Sequence, residues 1–448
     1  MKVVKFGGSS LASATQLEKV LNIVKSDSDR KFVVVSAPGK REESDTKVTD
    51  ALIKYYRAYV EEGDVTPHQE WIINRYAQMI EELELKPVVL EKITKSILNL
   101  ATLPIEDNLF LYDSFLAAGE NNNAKLVAAF FNKNGLNARY IHPRDAGIFV
   151  SSEPGNARIL PSSYDKIEEL TNFEEVLVIP GFFGVTKDNQ ICTFSRGGSD
   201  VTGALVAASI NAELYENWTD VSGFLMADPR IVKNPMQIRK ITYRELRELS
   251  YMGASVLHEE SVFPVRDAGI PINIKNTNNP SDPGTLIVKD MDPDFNNPVK
   301  GIAGKKDFTV ISIEKAMMNS ELGFCRKVLS VLEQNNISFE NMPSGIDTVC
   351  VVISDAQLKN KTDILVDEIK RTCTPDSIVV HPNMALIATV GNGMSSNKGV
   401  AAKIFTSLSE SNINIRMIDQ GSSEINILIG IENDDFEKGI NAIYNAFI

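Results

Sequence analysis

The stretch KVVKFGGSSLASATQLEKVLNIVKSDSDRKFVVVSA, residues 2–37, decides how the chain folds. It begins and ends on short β-branched runs, KVVKF (2–6) and KFVVVSA (31–37), apolar enough to be strands buried on both faces. Between them Ser13 and Gln16 stand at capping-box spacing, and Leu17, Val20, Leu21 and Val24 follow at helical spacing. Strand, helix, strand predicts a parallel pair joined by a crossover helix. Ligands then belong at the carboxyl ends of the strands, where Lys5, Phe6, Gly7 and Gly8 leave the first one.

Working outward, ARYIH (138–142), EVLVIPG (175–181), ELYENWTD (213–220) and IPINIKN (270–276) read as further strands alternating with amphipathic helices. Residues 1–290 are therefore expected to form an α/β domain, a mainly parallel sheet sandwiched by helices. Within it 52–100 is almost all helical pattern, an insertion or a lid. Proline, glycine, asparagine and aspartate cluster in NPSDPGTLIVKDMDPDFNNPVKG (279–301) and mark a boundary. Beyond it come two similar units of roughly 70 residues, 301–380 and 381–448. Each has a strand (DFTVISIE, MALIATVG), a helix opened by glycine (Gly323, Gly399), an Asn-Ile turn (Asn336-Ile337, Asn412-Ile413) and more strands. The pattern implies an internally duplicated βαββαβ unit, with interleaving of the two copies left open. VGNGMSSNKGVAAK (390–403) looks phosphate-binding, but it fits no Walker spacing and lies within the second repeat.

Composition narrows the function. The 448 residues carry 46 basic and 59 acidic side chains, a net charge of −13, which argues against nucleic acid or an anionic membrane as the main partner. The four cysteines show no C-x-x-C spacing, so reduced thiols in a cytoplasmic protein are expected rather than zinc ligands. No apolar run approaches the ~18 residues of a membrane span, and MKVVKFGG lacks the apolar core of a signal peptide.

Two glycine loops carry the chemistry. KFGGSS (5–10) is either a phosphate cradle with Lys5 as its charge or a tight turn with a solvated lysine. SRGGSD (195–200) adds Arg196, Gly197, Gly198, Ser199 and Asp200 ahead of a small-residue helix. Arg196 can fork onto a carboxylate or phosphate. Asp200 cannot face a phosphate unpaired, so it needs a cation, and Lys5 is the natural one. WTDVSGFLMADPRIV (218–232) puts Thr219 and Asp220 at a strand end, with Arg230 beyond; it is a nucleotide-contacting segment or a turn-rich connection. Glu120, in FLAAGENNNAKLVAAFF (115–131), is either a solvated helix residue or a ligand for an ammonium. Thr46 and Thr49 enter a helix as caps or substrate contacts.

Taken in order, KFGGSS, GEN, IPGFFG (179–184), SRGGSD, WTDVSG, ADPRIV and GASVLH (253–258) resemble the aspartokinases, and the duplication resembles their two ACT domains. The resemblance spans essentially the whole chain and is closest to monofunctional, lysine-responsive members. It implies an amino-acid-kinase (carbamate-kinase-like) fold followed by two ferredoxin-like ACT domains. It also implies ATP-dependent phosphorylation of the L-aspartate side chain to 4-phospho-L-aspartate, the first step towards lysine, threonine and methionine. By resemblance, Lys5 with Gly7 and Gly8 holds the transferring phosphoryl group and Asp200 orients Lys5. Thr49, Arg196 and Ser199, with the Gly197-Gly198 turn, bind the substrate carboxylates, and Glu120 its ammonium. Thr219, Asp220, Leu225, Arg230 and Ser255 join Phe6 and the first glycine loop around ATP.

Two of these positions depart from the family pattern: Ser255 stands where a lysine is common, and Leu225 where a tyrosine is. Arg230 and Lys233 are candidates to replace the charge. Magnesium is expected to arrive on ATP, with no dedicated metal site and no tightly bound cofactor. An effector, L-lysine first, is implied at Met318, Glu321, Phe324, Cys325, Ser338, Phe339, Glu340 and Ser344, and a homodimer or homotetramer through the ACT domains. The alternatives are a kinase of glutamate, N-acetylglutamate or a nucleotide, and a non-catalytic amino-acid sensor.

Overall fold

The opening strand–helix–strand forms as read. Strands β1 (Lys2–Phe6) and β2 (Arg30–Val35) lie parallel and are joined by α1 (Ala14–Lys25). The Ser13 hydroxyl caps α1 by accepting from the Gln16 backbone N–H at 3.3 Å. The reciprocal half of the capping box is not made: Gln16 Nε2 donates to Asn278 at 3.1 Å, and its Oε1, which would accept from the Ser13 N–H, has no partner. The computed structural model describes every residue except Asp107, Arg196, Ser255, Val256 and His258, and excludes the side chains of Glu259 and Glu260. It divides into a first unit, Met1–Phe224, Gln237–Leu246 and Val256–Met291, and a second, Leu225–Met236, Arg247–Ser255 and Asp292–Ile448.

The first unit adds β3 (Ala138–Tyr140), β4 (Val176–Pro180), the hairpin β5 (Phe183–Val185) and β6 (Ile191–Thr193), β7 (Leu214–Thr219), β8 (Lys240–Thr242), β9 (Ile272–Asn276) and β10 (Thr285–Val288). Its large sheet runs β3-β4-β2-β1-β7-β9-β10-β8. All neighbours are parallel except β9 and β10. The chain leaves β1 towards β2 on one side and returns to it as β7 on the other. That reversal of strand order opens a crevice at the carboxyl ends of β1, β2 and β7.

Helices α2 (Val48–Val60), α3 (Thr66–Glu82), α4 (Pro87–Leu100) and α5 (Leu111–Lys133) follow β2. The segment read as an insertion or lid is a core layer here. Ile72, Tyr76, Ile93 and Ile97 are fully buried in one apolar cluster with Val4, Val33 and Phe115. Each such side chain contributes roughly 1.5–3 kcal/mol by leaving water, so opening this layer as a lid would be costly. Arg75 fastens it further, donating to the carbonyls of Ala12 (2.8 Å) and Gly39 (3.0 Å) and to Asp45 (3.0 Å).

In the second unit the two repeats share one sheet, β12-β11-β13-β15-β14, made of β11 (Gly301–Glu314), β12 (Thr348–Ser354), β13 (Ser377–Val390), β14 (Met417–Asp419) and β15 (Asn426–Glu432). The long strands β11 and β13 change partners along their length. Residues Phe308–Glu314 pair with β12 and with the start of β13, whereas Gly301–Lys305 pair only with Leu386–Val390. The opening of β11 is thus an edge strand beside the second repeat. Asn336 (φ +53) and Asn412 (φ +52) both take the left-handed conformation after their helices, and Gly323 (φ +81) and Gly399 (φ +89) both take it before. Matched residues in matched left-handed positions are what a duplication leaves behind. Gly399 opens the Val400–Glu410 helix, so the glycine-rich stretch there serves the repeat.

Candidate active site

Lys5 and Asp200, far apart in the sequence, meet. The Lys5 Nζ lies 2.6 Å from Asp200 Oδ1, and both side chains are largely buried. Two short helices, α6 (Pro143–Ala146) and α7 (Ser162–Glu168), precede α8 (Gly198–Ser209), and Asp200 sits in the first turn of α8. A carboxylate is favoured there by the helix dipole. Gly197 before it has φ +70, a conformation that glycine adopts without strain, and this turns the chain sharply into the helix.

Around the lysine the backbone is packed closely. The Gly7 N–H donates to the Trp218 carbonyl at 3.0 Å, and the Gly39 N–H to the Gly8 carbonyl at 2.8 Å. A Cβ on Gly39 would lie 2.6 Å from the Gly8 carbonyl carbon, so only glycine fits where the loops from β1 and β2 cross. A Cβ on Gly7 would stand 3.9 Å from the Lys5 Nζ, which puts the ammonium beside the turn. The Phe6 ring points into the core and stacks on Trp218 at 6.1 Å. Phe6 therefore offers this site backbone alone.

Glu120 is not a solvated helix residue. Helix α5 is buried around almost its whole circumference and leaves Glu120 only 6% exposed. Burial pushes its carboxyl up to about 7, while backbone N–H groups and the Lys5 charge pull the other way. Its Oε2 atom is buried without a hydrogen-bond partner. A buried acceptor of this kind, with a cation nearby, is suited to receive an ammonium. Neighbouring residues fix the helix here. The Tyr76 hydroxyl donates to the Gly119 carbonyl at 2.9 Å, and Asn123 Nδ2 to the Ser36 carbonyl at 2.7 Å.

Other expected positions fall as follows. Ser199 is buried, and Gly181 approaches it so closely that a Cβ there would lie 2.7 Å from its side chain. Thr49 is half-buried in the first turn of α2, whose N-cap is Lys47 with no side-chain cap bond, so neither Thr46 nor Thr49 acts as the cap. Thr219 ends β7 and donates to Asp220 at 3.1 Å. Leu225 and Arg230 belong to the second unit, where the exposed Arg230 guanidinium is paired with Asp228 at 2.6 Å. Arg196 and Ser255 lie outside the described residues.

In the second unit Met318 and Phe324 are buried, whereas Ser338, Phe339 and Ser344 are exposed and Cys325 is a half-buried free thiol. Both Glu321 oxygens are occupied, by Lys315 and Lys327 at 2.6 Å each, and these hold its carboxyl below the usual range. Glu321 is thus already neutralised, which disfavours it as the receiver of an ammonium. Glu340 instead accepts from the Tyr251 hydroxyl at 2.5 Å.

The amino acid kinase family profile matches residues 1–276, and an ACT domain profile matches 387–447. Aspartokinase 3 of Bacillus subtilis is 45% identical over 100% of this chain and 98% of its own length. The chain belongs to the aspartokinases. The crystal structure of Clostridium acetobutylicum aspartate kinase superposes with a TM-score of 0.88 at 51% identity, covering all of both chains. Escherichia coli aspartokinase III, solved with aspartate and ADP, superposes with a TM-score of 0.71 at 25% identity over 100% of this chain and 99% of its own. Chloroplastic aspartokinase 2 of Arabidopsis thaliana is 28% identical over 99% of this chain and 84% of its own length. The protein is thus an aspartate kinase, transferring a phosphoryl group from ATP to the aspartate side-chain carboxylate. Among its described residues no helix is long and apolar enough to cross a membrane.

Sequence reasoning missed Asn217, Asn123, Gly39 and Arg75. Asn217 had a signal: ELYENWTD places Glu and Asn inside a strand that is otherwise apolar, and buried polar groups need partners. For Arg75, a basic residue on an amphipathic helix, the sequence offers none.

Proposed function

We propose that the buried Lys5–Asp200 pair is the phosphoryl-handling centre of the aspartate kinase reaction. The supporting observation is the 2.6 Å ion pair beside the Gly7-Gly8 turn at the switch point of the sheet. In this reading Lys5 neutralises the transferring group while the Gly7 and Gly8 backbone lets it approach. Phosphoryl transfer depends chiefly on positioning and on neutralising phosphoryl oxygens, which is what a fixed ammonium in a largely buried site does. The aspartate carboxylate is already ionised near neutral pH, so the nucleophile needs no general base. Glu120 receives the substrate ammonium, and Thr49, Arg196 and Ser199 its carboxylates. Thr219 and Asp220, at the end of β7, contact the nucleotide, and magnesium enters on the ATP phosphates.

The reaction belongs to the cytoplasm, where ATP and aspartate are both supplied. L-lysine acts as feedback effector at the Ser338–Ser344 segment, with Glu340 facing its ammonium. The edge of the first repeat exposes Phe339 (40%) and Ile346 (70%), which supports pairing of ACT domains into a homodimer or homotetramer. An ADP-release assay with aspartate, glutamate and homoserine as acceptors tests the assignment. Turnover with aspartate that disappears in a folded Lys5→Ala protein supports it, and undiminished turnover in that variant overturns it.

A further inference from the structure

We propose that Asn217 is a positioning residue for phosphoryl transfer, holding Asp200 so that Asp200 can hold Lys5. The inference rests on the reading of Lys5 and Asp200 as the phosphoryl-handling pair.

Asn217 lies on β7 and is 4% exposed. In the parallel register of β1 and β7 it is the direct partner of Lys5. Register partners on adjacent parallel strands project from the same face, so the two side chains converge on one point above the sheet. That point is Asp200 Oδ1. Lys5 Nζ reaches it at 2.6 Å and Asn217 Nδ2 at 2.8 Å, so one carboxylate oxygen accepts both donors. The Tyr215 hydroxyl, two residues earlier on the same strand, donates to the Asp200 backbone carbonyl at 3.4 Å and holds the helix end to the same face.

The chemistry of the third group matters. A carboxylate with a single lysine partner can swing about its χ angles, and a swing of an ångström moves the ammonium off the phosphoryl path. A second donor fixes the plane. An arginine or lysine in that place would also fix it, but would share the negative charge that keeps Lys5 where it is. An amide donates without competing for charge. A buried strand amide is costly unless its hydrogen bonds are made, and at this position the strand forgoes a β-branched core residue to keep one.

The test is a double-mutant cycle with Asn217→Leu, which keeps the branched shape and removes the donor, and Asp200→Asn. Asn217→Leu should lower kcat about 10-fold, the scale of one hydrogen bond to a charged group, with both KM values within about 2-fold of the parent. In the Asp200→Asn background the same substitution should cost no more than about 2-fold, because the group it positions is already uncharged. Asn217→Ala, smaller in volume, should repeat the kcat loss, which separates a missing donor from a packing fault. Unchanged kcat in folded Asn217→Leu and Asn217→Ala proteins overturns the inference. So does a loss that simply multiplies with that of Asp200→Asn. If Asp200→Asn alone leaves kcat intact, the Lys5–Asp200 reading falls first, and the inference with it.

Discussion

The two units handle charge in opposite ways. In the first, Lys5, Asp200, Asn217 and Glu120 are drawn out of water and held between strands and a fully packed helix. In the second, the charged groups near the Ser338–Ser344 segment keep partial contact with solvent. Glu321 shares itself between Lys315 and Lys327, and Glu340 bonds the Tyr251 hydroxyl across an exposed surface. The physical consequences differ. Buried charges are strongly felt and cannot reorganise, which suits a transition state whose geometry never changes. An exposed hydrogen bond such as Tyr251–Glu340 is worth little and exchanges readily, which suits a contact that an effector must be able to replace.

The sharpest way to break this contrast is at Lys5. Lys5→Ala should lower kcat by at least ~10²-fold, the scale of one preorganised electrostatic group, and lower the thermal transition by leaving Asp200 buried without its cation. Steady-state kinetics beside a melting curve measure both.

Next comes Glu120. With its carboxyl near 7 in the free enzyme, the ionised form that an ammonium requires is lost as pH falls. kcat/KM for aspartate should therefore drop about 10-fold between pH 8 and pH 6, while the dependence on ATP stays flatter. Glu120→Gln should flatten that profile and raise KM for aspartate. Stability should move the other way. A carboxyl whose folded pKa lies above its ordinary value contributes stability below the ordinary value, and that contribution is lost as pH rises towards 7. Above pH 7 the buried charge is a cost, so Glu120→Gln should melt no lower than the parent at pH 8.

Gly39→Ala tests whether the loop crossing is rigid. A methyl 2.6 Å from the Gly8 backbone must displace one loop, so a loss of about 1–3 kcal/mol is expected in denaturant titration. The smallest effect belongs to the second unit. Tyr251→Phe should leave uninhibited turnover and melting nearly unchanged, because an exposed hydrogen bond is worth about 1 kcal/mol or less. A lysine titration of this variant should shift by no more than a few-fold. A collapse of basal activity there would show the second unit to be more than a regulatory partner.

Much of this was legible in the residues. The strand–glycine–helix opening, the internal duplication and the need of Asp200 for a cation all follow from local pattern and from charge, and Lys5 answers that need at 2.6 Å. The environment of Glu120 was not legible. A glutamate among alanines and leucines reads equally as solvated or buried, and only the burial of α5 on nearly every side decides between them. The 52–100 region read as a possible lid for a related reason. Its helices have ordinary amphipathic patterns, and the sequence does not say that Arg75 ties them to Gly39 and Ala12. Glu321 failed in the other direction. The resemblance places it among the effector positions, but in the fold Lys315 and Lys327 already occupy both of its oxygens.

Alone, the sequence determined which elements form, which loops carry glycine and charge, and through ordered motifs which family the chain belongs to. Those are properties of neighbours along the chain, set by side-chain periodicity and backbone freedom. The tertiary structure decided what each charge faces. Register set Asn217 beside Lys5, the α8 turn aimed Asp200 at both, and the packing of α5 shielded Glu120 from bulk solvent. Electrostatic strength depends on distance and on exclusion of solvent, and neither is a property of the chain until it has folded.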